Sequence, residues 1–301
     1  MSAVKNYLSL VKFSHTIFAM PFAMIGFFLG CYSPIGGLEG YKELSFLSLN
    51  AESPYIKFIL VILCMVTARS AAMAFNRYLD KNFDAKNPRT AIREIPAGII
   101  SANSALIFVV VNCLIFIVAT WFINKICFFL SPVALFVILF YSYTKRFTAL
   151  CHLVLGLGLS LAPIGAYLAV TGRFDVLPVL FSFAVLFWVS GFDIIYALQD
   201  VDFDLSQNLY SIPSVLGKQK ALRVSELLHV LSAGLVITAG FIAAFGLLYW
   251  TGVAVFAGML IYQHSIVKPD DLRRVNLAFM TANGIASVVF ACFVLADIFF
   301  K

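Results

Sequence analysis

The sequence has few charged residues for its length. Only 12% of its 301 residues are Asp, Glu, Lys or Arg, whereas 62% are hydrophobic. A soluble domain carries roughly 25% charged and 45–50% apolar residues, so this composition excludes an ordinary soluble protein. Apolar runs of roughly 17–25 residues, the length that spans a bilayer, recur along the whole chain. The composition therefore predicts a polytopic membrane protein.

Several common functional signatures are also missing from the sequence. The six cysteines form no C-x-x-C pair, and His152, His229 and His264 have no Cys or carboxylate at ligand spacing. We therefore expect buried thiols and no zinc site. There is no P-loop, no G-x-G-x-x-G run and no nucleophile elbow. The net charge of +6 comes from basic residues spread among the apolar runs, which argues against a nucleic-acid partner.

Nine apolar runs predict an all-α bundle of nine transmembrane helices, in one domain that covers residues 1–301. The runs lie near residues 11–32, 55–79, 103–123, 126–144, 150–171, 176–199, 222–244, 247–266 and 276–299. The connections at 124–126 and 245–246 are the shortest of the set. No low-complexity tract and no separate soluble domain interrupts this pattern.

The positions of Lys and Arg predict the orientation of the bundle. If the N-terminus is cytoplasmic, fifteen of the 21 basic residues lie in cytoplasmic segments and five on the opposite side. Cytoplasmic loops of membrane proteins carry such an excess of basic residues. The bias favours a cytoplasmic N-terminus and an odd number of helices.

Three oxygen-bearing side chains follow one another at four-residue spacing where the second apolar run ends. They belong to Asn76, Asp80 and Asp84. Residues four apart lie on nearly the same face of a helix, so the three form a strip about 12 Å long at 1.5 Å per residue. Such oxygen ligands suit Mg²⁺, and Arg89 and Arg93 add positive charge nearby. We expect a magnesium–diphosphate site at a membrane face.

A second acidic strip repeats this spacing at the predicted cytoplasmic end of the sixth helix. Tyr196, Asp200 and Asp204 are again four residues apart. The match predicts two similarly built halves, with acidic motifs at 76–84 and 193–204 that face a shared site. Asp202 lies about 200° round the helix from Asp200 and is expected to be solvated.

Arg69 and Asp193 are charged residues inside predicted spans. Each precedes a motif residue by seven positions and so lies two turns deeper on nearly the same face. A charge inside a membrane is costly and usually marks a site, a pathway or a partner. The two residues could approach each other below the metal site, as a functional or a purely structural ion pair. Alternatively, Arg69 could receive an anionic acceptor group.

A third cluster lies at the end of the fourth predicted helix, in the segment YSYTKRF at 141–147. Tyr141 and Lys145 are four residues apart, and Arg146 follows. Lys can bind a diphosphate as a point charge and Arg can bind it through two parallel hydrogen bonds. The alternative is an ordinary positive-inside anchor. The polar loop that holds Arg89 and Arg93 could close over the same site.

Together these motifs closely resemble those of the UbiA superfamily of intramembrane aromatic prenyltransferases. The matching segments are NRYLDKNFD at 76–84, RTAIREIPAG at 89–98, YSYTK at 141–145 and DIIYALQDVDFD at 193–204. The segment KFSHTIFA at 12–19 looks most like the 4-hydroxybenzoate polyprenyltransferase-like branch. Some members of that branch serve menaquinone synthesis by the futalosine route.

The resemblance implies a Mg²⁺-dependent transfer of a polyprenyl group from polyprenyl diphosphate to a ring carbon of an aromatic acid, in ubiquinone or menaquinone biosynthesis. It assigns the metal to Asn76, Asp80, Asp84, Asp200 and Asp204. It assigns substrate binding to Asn76, Arg69, Arg89, Arg93, Tyr141, Lys145 and Arg146. Asp193 or Tyr196 would take a proton from the aromatic acid or orient its ring.

The acceptor that the resemblance favours is 4-hydroxybenzoate. A futalosine-route aromatic and 1,4-dihydroxy-2-naphthoate are the alternatives. The protein would be a multi-pass component of the bacterial inner membrane, with its site on the cytoplasmic face and the isoprenoid tail in an apolar tunnel open to lipid. No residue pattern indicates an oligomeric state.

A secondary transporter is the competing interpretation from another class of proteins. Transporters also combine repeated halves with charges inside the membrane. Here, however, the acidic residues gather at one predicted membrane face and not at the midplane, and no span is clearly interrupted at its centre. This pattern favours the enzyme.

Overall fold

The computed structural model describes residues 3–12, 18–32 and 53–300, and the regular secondary structure of these residues is helical. The α-helices are α1 (Ala3–Leu10), α2 (Met20–Tyr32), α3 (Pro54–Lys86), α4 (Ala102–Ile123), α5 (Lys125–Thr144), α6 (Cys151–Thr171), α7 (Val176–Ala197), α8 (Val201–Ser206), α9 (Ile212–Leu216), α10 (Lys218–Ile242), α11 (Leu247–Ile266) and α12 (Asn283–Phe300). A 3₁₀ turn at Leu198–Asp200 joins α7 to α8, and a π-helical turn at Leu277–Ala282 precedes α12.

Seven helical segments in the described residues are long and apolar enough to cross a membrane. They are α3, α4, α5, α6, α10, the segment Val176–Ser206 and the segment Leu277–Phe300. The protein is therefore an integral, multi-pass membrane protein. α2 is apolar but has only 13 residues, and α11 is not among the seven. Both occupy the places of predicted spans, so the nine-helix topology and the cytoplasmic N-terminus stay predictions.

The first predicted span, 11–32, began too early. α1 ends at Leu10, a turn follows, and α2 starts only at Met20. Lys12 has a φ of 44°, in the left-handed region that a continuous right-handed helix cannot contain. Residues 13–17, with His15, lie outside the described residues.

The shortest predicted connection, at 124–126, is confirmed and consists of a single residue. Asn124 has extended backbone angles (φ −170°, ψ 167°) and separates α4 from α5. Its side chain accepts a hydrogen bond from the backbone N–H of Cys127 at 2.9 Å and donates one to the carbonyl of Leu168 at 2.8 Å. These bonds satisfy backbone groups at a helix break, which is required because lipid offers no partner.

An aromatic core holds α2, α6, α7, α10, α11 and α12 together. Its largest fully buried side chains are those of Phe22, Phe181, Trp188, Tyr249, Phe256 and Phe290. In a membrane the attraction between helices comes from close packing and not from exclusion of water. Close approach is visible at Gly156 of α6, where an added Cβ would lie 2.4 Å from the carbonyl oxygen of Leu186 in α7. This contact brings the second turn of α6 against the middle of α7.

Candidate active site

A polar cavity of about 580 Å³ lies among the ends of α3, α5 and α7 and the loop that follows α3. All the site residues predicted from the sequence line it. They are Arg69, Asn76, Asp80, Asp84, Arg89, Arg93, Tyr141, Lys145, Arg146, Asp193, Tyr196, Asp200 and Asp204. The fold therefore gathers three sequence motifs and two deeper charges around one space.

The first acidic strip lies on one unbroken helix, because α3 continues to Lys86. The amide of Asn76 donates a hydrogen bond to Oδ2 of Asp80 at 3.0 Å. The buried carboxylate of Asp84 lies one turn further along. The helical spacing predicted for this strip is confirmed.

The second strip differs from the straight helix that the spacing predicted. α7 ends at Ala197, and Asp200 lies at the end of the 3₁₀ turn that precedes α8. A 3₁₀ turn has about 3.0 residues per turn, so the 100° spacing of an α-helix does not hold there. Asp204 is nevertheless fully buried at the cavity wall, and Asp202 is exposed, as predicted.

Each of the four carboxylates is paired with a different basic side chain from another part of the fold. Asp80 pairs with Arg146 (2.8 Å), Asp84 with Arg93 (2.6 Å), Asp200 with Arg89 (2.6 Å) and Asp204 with Lys145 (2.7 Å). An unpaired charge at this depth would be costly. The cavity is therefore built from matched opposite charges, with two acids on α3 and two beyond α7.

Two basic residues outside the spanning segments, Lys145 and Arg89, are firmly protonated. Burial opposes the charge of Lys145, but the adjacent carboxylate of Asp204 holds its pKa above the usual value. Burial likewise opposes the charge of Arg89, whereas Asp200 and the Tyr196 hydroxyl raise its pKa. Both side chains remain cations at physiological pH and can meet an anionic ligand.

The loop after α3 folds back over the cavity, as predicted. The backbone N–H of Arg89 donates to the side-chain oxygen of Asn87 at 3.0 Å, and the Asn87 amide approaches Asp200 at 3.4 Å. The hydroxyl of Thr90 donates to the carbonyl of Asp84 at 3.1 Å. These bonds aim the loop arginines at the acidic strips.

Arg69 and Asp193 do not pair with each other, so that hypothesis is wrong. Oδ2 of Asp193 lies 2.7 Å from Nδ1 of His152. Within the described part of the chain, Arg69 donates a hydrogen bond to the carbonyl of Lys12 at 3.4 Å, and its Nε is buried without a hydrogen-bond partner. Arg69 lines both the polar cavity and a neighbouring apolar one, so it faces the boundary between the two.

The sequence patterns assign no role to His152, although it contacts a predicted site residue, Asp193. It is 41 positions from Asp193, so no local spacing links them. The pairing could have been inferred from the topology, because a short turn near Arg173 joins α6 to α7. His152 precedes that turn by 21 residues (173 − 152) and Asp193 follows it by 20 (193 − 173), so an antiparallel helix pair brings them together.

The apolar cavity, of about 390 Å³, adjoins the polar one. It lies among α3, α4, α5 and α6, and its lining includes Phe116, Val137 and Ala166. Both cavities share Arg69 and Tyr141 in their walls. A molecule with a charged head and an apolar tail could occupy the two together.

The donor set of the polar cavity fits Mg²⁺. Mg²⁺ usually takes one or two carboxylates and leaves its other positions to water and phosphate. Oδ2 of Asp84 is buried without a hydrogen bond in the described chain, and Nη1 of Arg77 lies 4.0 Å from it. No three His, Cys, Asp or Glu side chains of the described residues converge on one ion position. Pairs of carboxylates must therefore carry the fit.

Comparison with known proteins agrees with this geometry. The chain matches the UbiA prenyltransferase family over residues 44–285. A 4-hydroxybenzoate octaprenyltransferase of Tolumonas auensis is 32% identical over 248 residues, which are 82% of this chain and 86% of that protein. One of Nitrosomonas europaea is 30% identical over 241 residues, with 80% and 82% covered.

Solved structures share the fold. The apo structure of a UbiA homolog from Aeropyrum pernix is 29% identical, with a TM-score of 0.76 over 95% of this chain and 97% of that one. A UbiA homolog from Archaeoglobus fulgidus bound to DMAPP and Mg²⁺ is 19% identical, with a TM-score of 0.71 over 98% and 100%. With the family match over most of the chain, these similarities show that the protein belongs to the UbiA prenyltransferase family and is a membrane-embedded prenyltransferase.

Proposed function

We propose that this enzyme transfers a polyprenyl group from polyprenyl diphosphate to a ring carbon of an aromatic acid, with 4-hydroxybenzoate as the acceptor. One observation carries the proposal: a cavity of matched acids and bases lies beside an apolar cavity, and Arg69 lines both. The names of the relatives at 30–32% identity support the same acceptor.

The diphosphate binds among the acid–base pairs. Asp80, Asp84, Asp200 and Asp204, together with Asn76, hold Mg²⁺. Bound there, the ion neutralises diphosphate oxygens and makes the group a better leaving group. The side chains of Lys145, Arg146, Arg89 and Arg93 lie at the same wall and turn from their carboxylates to the diphosphate. Preorganised donors that stabilise the charge of a leaving group often contribute more to catalysis than any other effect.

The aromatic acid binds deeper, between Arg69 and Asp193. The guanidinium of Arg69 lies in the wall of both cavities and can take the carboxylate of the acid in a charge-assisted hydrogen bond. The Tyr196 hydroxyl is already bound by Arg89 at 3.2 Å, which leaves Asp193 as the accessible base. The carbon–oxygen bond to the diphosphate breaks, a carbon–carbon bond forms at the ring, and Asp193 takes the proton that the aromatic acid releases.

The isoprenoid tail lies in the apolar cavity. Its walls carry almost no polar atoms other than those at Arg69, Tyr141 and a few hydroxyls. This lining keeps water from the allylic cation, which water would otherwise capture. In this proposal the site opens to the cytoplasmic face of the bacterial inner membrane, with lipid around the bundle.

The test uses the purified protein in detergent with Mg²⁺, geranyl diphosphate and 4-hydroxybenzoate, and it detects the prenylated acid by mass spectrometry. We expect product formation that EDTA abolishes and that Asp80→Asn reduces by about a hundredfold or more, as for loss of a charge-stabilising group. Asp202→Asn is the matched control, because Asp202 is exposed and outside the cavity. Equal activity of the two variants would contradict the proposed site.

The same assay identifies the acceptor. Offered 4-hydroxybenzoate and 1,4-dihydroxy-2-naphthoate together, the enzyme should prenylate the former. Exclusive prenylation of the naphthoate would reject 4-hydroxybenzoate and keep the reaction. Transport of an aromatic acid without any prenylated product would support a transporter instead.

A further inference from the structure

The imidazole of His152 lies in the first turn of α6 and is only 2% exposed. Its Nδ1 is 2.7 Å from Oδ2 of Asp193, and its Nε2 is 3.3 Å from the backbone nitrogen of Ile212. Neither the family motifs nor the four acid–base pairs include this histidine. The hydrogen bonds at its two ring nitrogens nevertheless determine its tautomer and its role.

The protonation of His152 follows from its partners. A backbone N–H can only donate, so Nε2 of His152 accepts from Ile212 and carries no proton. The ring proton is therefore on Nδ1, and it is donated to Asp193. The imidazole is neutral and both of its nitrogens are engaged, so it cannot shuttle a proton without breaking one of these bonds.

The hydrogen bond from His152 determines which carboxylate oxygen of Asp193 is available to a ligand. Oδ2 is occupied by His152, while Oδ1 has no hydrogen-bond partner in the chain described here. The side chain of Asp193 is 24% exposed, and the residue lines the polar cavity. The carboxylate is thus held by one oxygen and offers the other to the cavity.

Aromatic side chains line the cavity that Asp193 also lines. Phe18, Phe192, Tyr196 and Phe279 line the same cavity and pack against one another. The rings of Tyr196 and Phe279 have centroids 4.2 Å apart, and those of Phe18 and Phe192 are 5.4 Å apart. A planar aromatic ligand would find stacking partners there and a hydrogen-bond acceptor at its edge.

The same histidine connects this acceptor end with the diphosphate end. Ile212 follows Ser211, whose hydroxyl donates to Oδ2 of Asp204 at 2.9 Å. The hydroxyl of Ser190 in α7 donates to the backbone carbonyl of His152 at 3.1 Å, and this bond helps to hold the backbone that carries the imidazole. A short chain of hydrogen bonds therefore joins one acid of the second strip to Asp193.

We infer that His152 is a positioning residue of the acceptor subsite, which holds Asp193 so that its free oxygen accepts the hydrogen bond of the aromatic acid's hydroxyl. The inference rests on the proposed function. His152 also lines the polar cavity, but both of its ring nitrogens are already engaged by Asp193 and Ile212. It acts by restricting the carboxylate to one orientation, so its loss weakens binding of the aromatic acid and spares the prenyl diphosphate.

The test compares two substitutions of one side chain. In His152→Asn the amide nitrogen stands near the position of Nδ1 and can still donate to Asp193. In His152→Gln the amide stands near the position of Nε2, keeps a partner for Ile212 and leaves Asp193 without its donor. We expect His152→Gln to raise the KM for 4-hydroxybenzoate about tenfold, the effect of one hydrogen bond to a charged group, with an unchanged KM for geranyl diphosphate. His152→Asn should stay within about threefold of the wild type.

The double variant His152→Gln/Asp193→Asn adds a check on coupling. Residues that act through one bond show non-additive effects, so the double variant should be no worse than Asp193→Asn alone. Thermal unfolding in detergent is measured for every variant. Equal losses in His152→Asn and His152→Gln, with a lowered unfolding temperature in both, would show a purely structural role and overturn the inference.

A spectroscopic readout separates this inference from the proposed function. In ¹⁵N NMR of the detergent-solubilised protein, His152 should show the tautomer with its proton on Nδ1, with a signal that moves in Asp193→Asn. A wild-type enzyme that prenylates no 4-hydroxybenzoate would reject the proposed acceptor, and the tautomer would then decide the inference. A ring protonated on Nε2, or on both nitrogens, would overturn it.

Discussion

The guanidinium of Arg89 binds both carboxylate oxygens of Asp200. Its Nε is 3.1 Å from Oδ1 and its Nη2 is 2.6 Å from Oδ2, while Nη1 reaches the hydroxyl of Tyr196 at 3.2 Å. One guanidinium from the loop after α3 thus holds the acidic turn after α7. The geometry suits Arg alone, because Lys has no planar fork.

Replacement of this fork should weaken diphosphate binding. We expect Arg89→Lys to raise the KM for geranyl diphosphate about tenfold, because one charge-assisted bond is lost while the charge is kept. Arg273→Lys is the matched control. Arg273 forms a similar fork with Asp271, but it is 88% exposed and outside the cavity. Equal effects of the two changes would show that the fork of Arg89 has no special role.

Loss of the deep cation should affect the acceptor and not the donor. We expect Arg69→Met to raise the KM for 4-hydroxybenzoate about tenfold or more, because the carboxylate of the acid then lacks its partner. A second substrate serves as the control. Because 4-hydroxybenzyl alcohol has no carboxylate, its KM should change little in Arg69→Met. If both acceptors lose the same factor, Arg69 does not bind the carboxylate.

The pair of Lys145 and Asp204 should be insensitive to pH over the physiological range. The pKa of Lys145 is raised in the folded protein, mainly by Asp204 acting against the opposing effect of burial. Its contribution to stability is therefore complete below the unfolded pKa of about 10.4, and it is lost only as pH rises through the higher folded pKa. The comparison with Lys145→Arg, which stays charged, isolates this titration.

We therefore expect the difference in unfolding temperature between the wild type and Lys145→Arg to be constant from about pH 6 to 9, well below the lysine pKa. Above about pH 10.4 the wild type should lose stability relative to the variant. Differential scanning fluorimetry in detergent provides the measurement. A step between pH 6 and 9 would contradict the raised pKa.

Filling the apolar cavity should restrict the length of the prenyl chain. Gly165 of α6 lines that cavity, and an added Cβ there meets nothing within 4 Å. We expect Gly165→Phe to lower the turnover of long prenyl diphosphates about tenfold, because the phenyl group occupies space that a long chain needs. Turnover of geranyl diphosphate should be unchanged, because its chain is short. Gly234→Phe is the matched control, in an equally open position on α10 outside the cavity. A uniform loss for all chain lengths would place the tail elsewhere.

The orientation of the bundle can be tested by labelling. In a background without native cysteines, Asp202→Cys should react with a membrane-impermeant thiol reagent in inside-out vesicles, because the site is proposed to be cytoplasmic. Val176→Cys, exposed at the other end of α7, should react in right-side-out vesicles instead. The reversed pattern would invert the proposed topology.

Much of the site was predictable because its motifs are local. The Asn76–Asp80–Asp84 strip follows from helical spacing alone, and α3 presents it as expected. The idea of two similar halves stays a prediction, and the second strip already departs from the first at the 3₁₀ turn. Helical spacing cannot foresee such a turn, because the tighter winding is settled by contacts such as those of Asp200 with Arg89 and Asn87.

The sequence by itself determined that the chain is an α-helical membrane protein, and it predicted acidic and basic residues that line one polar cavity, because composition and periodicity report on solvent and on helix faces. Only the tertiary structure decided which base meets which acid, that Arg69 lies in the wall of both cavities, and that His152 rather than Arg69 holds Asp193. Apart from the pair of Asp84 and Arg93, which are 9 positions apart, those partnerships join residues 41 to 111 positions apart. They depend on the packing of α3, α5, α6 and α7, which no local pattern contains.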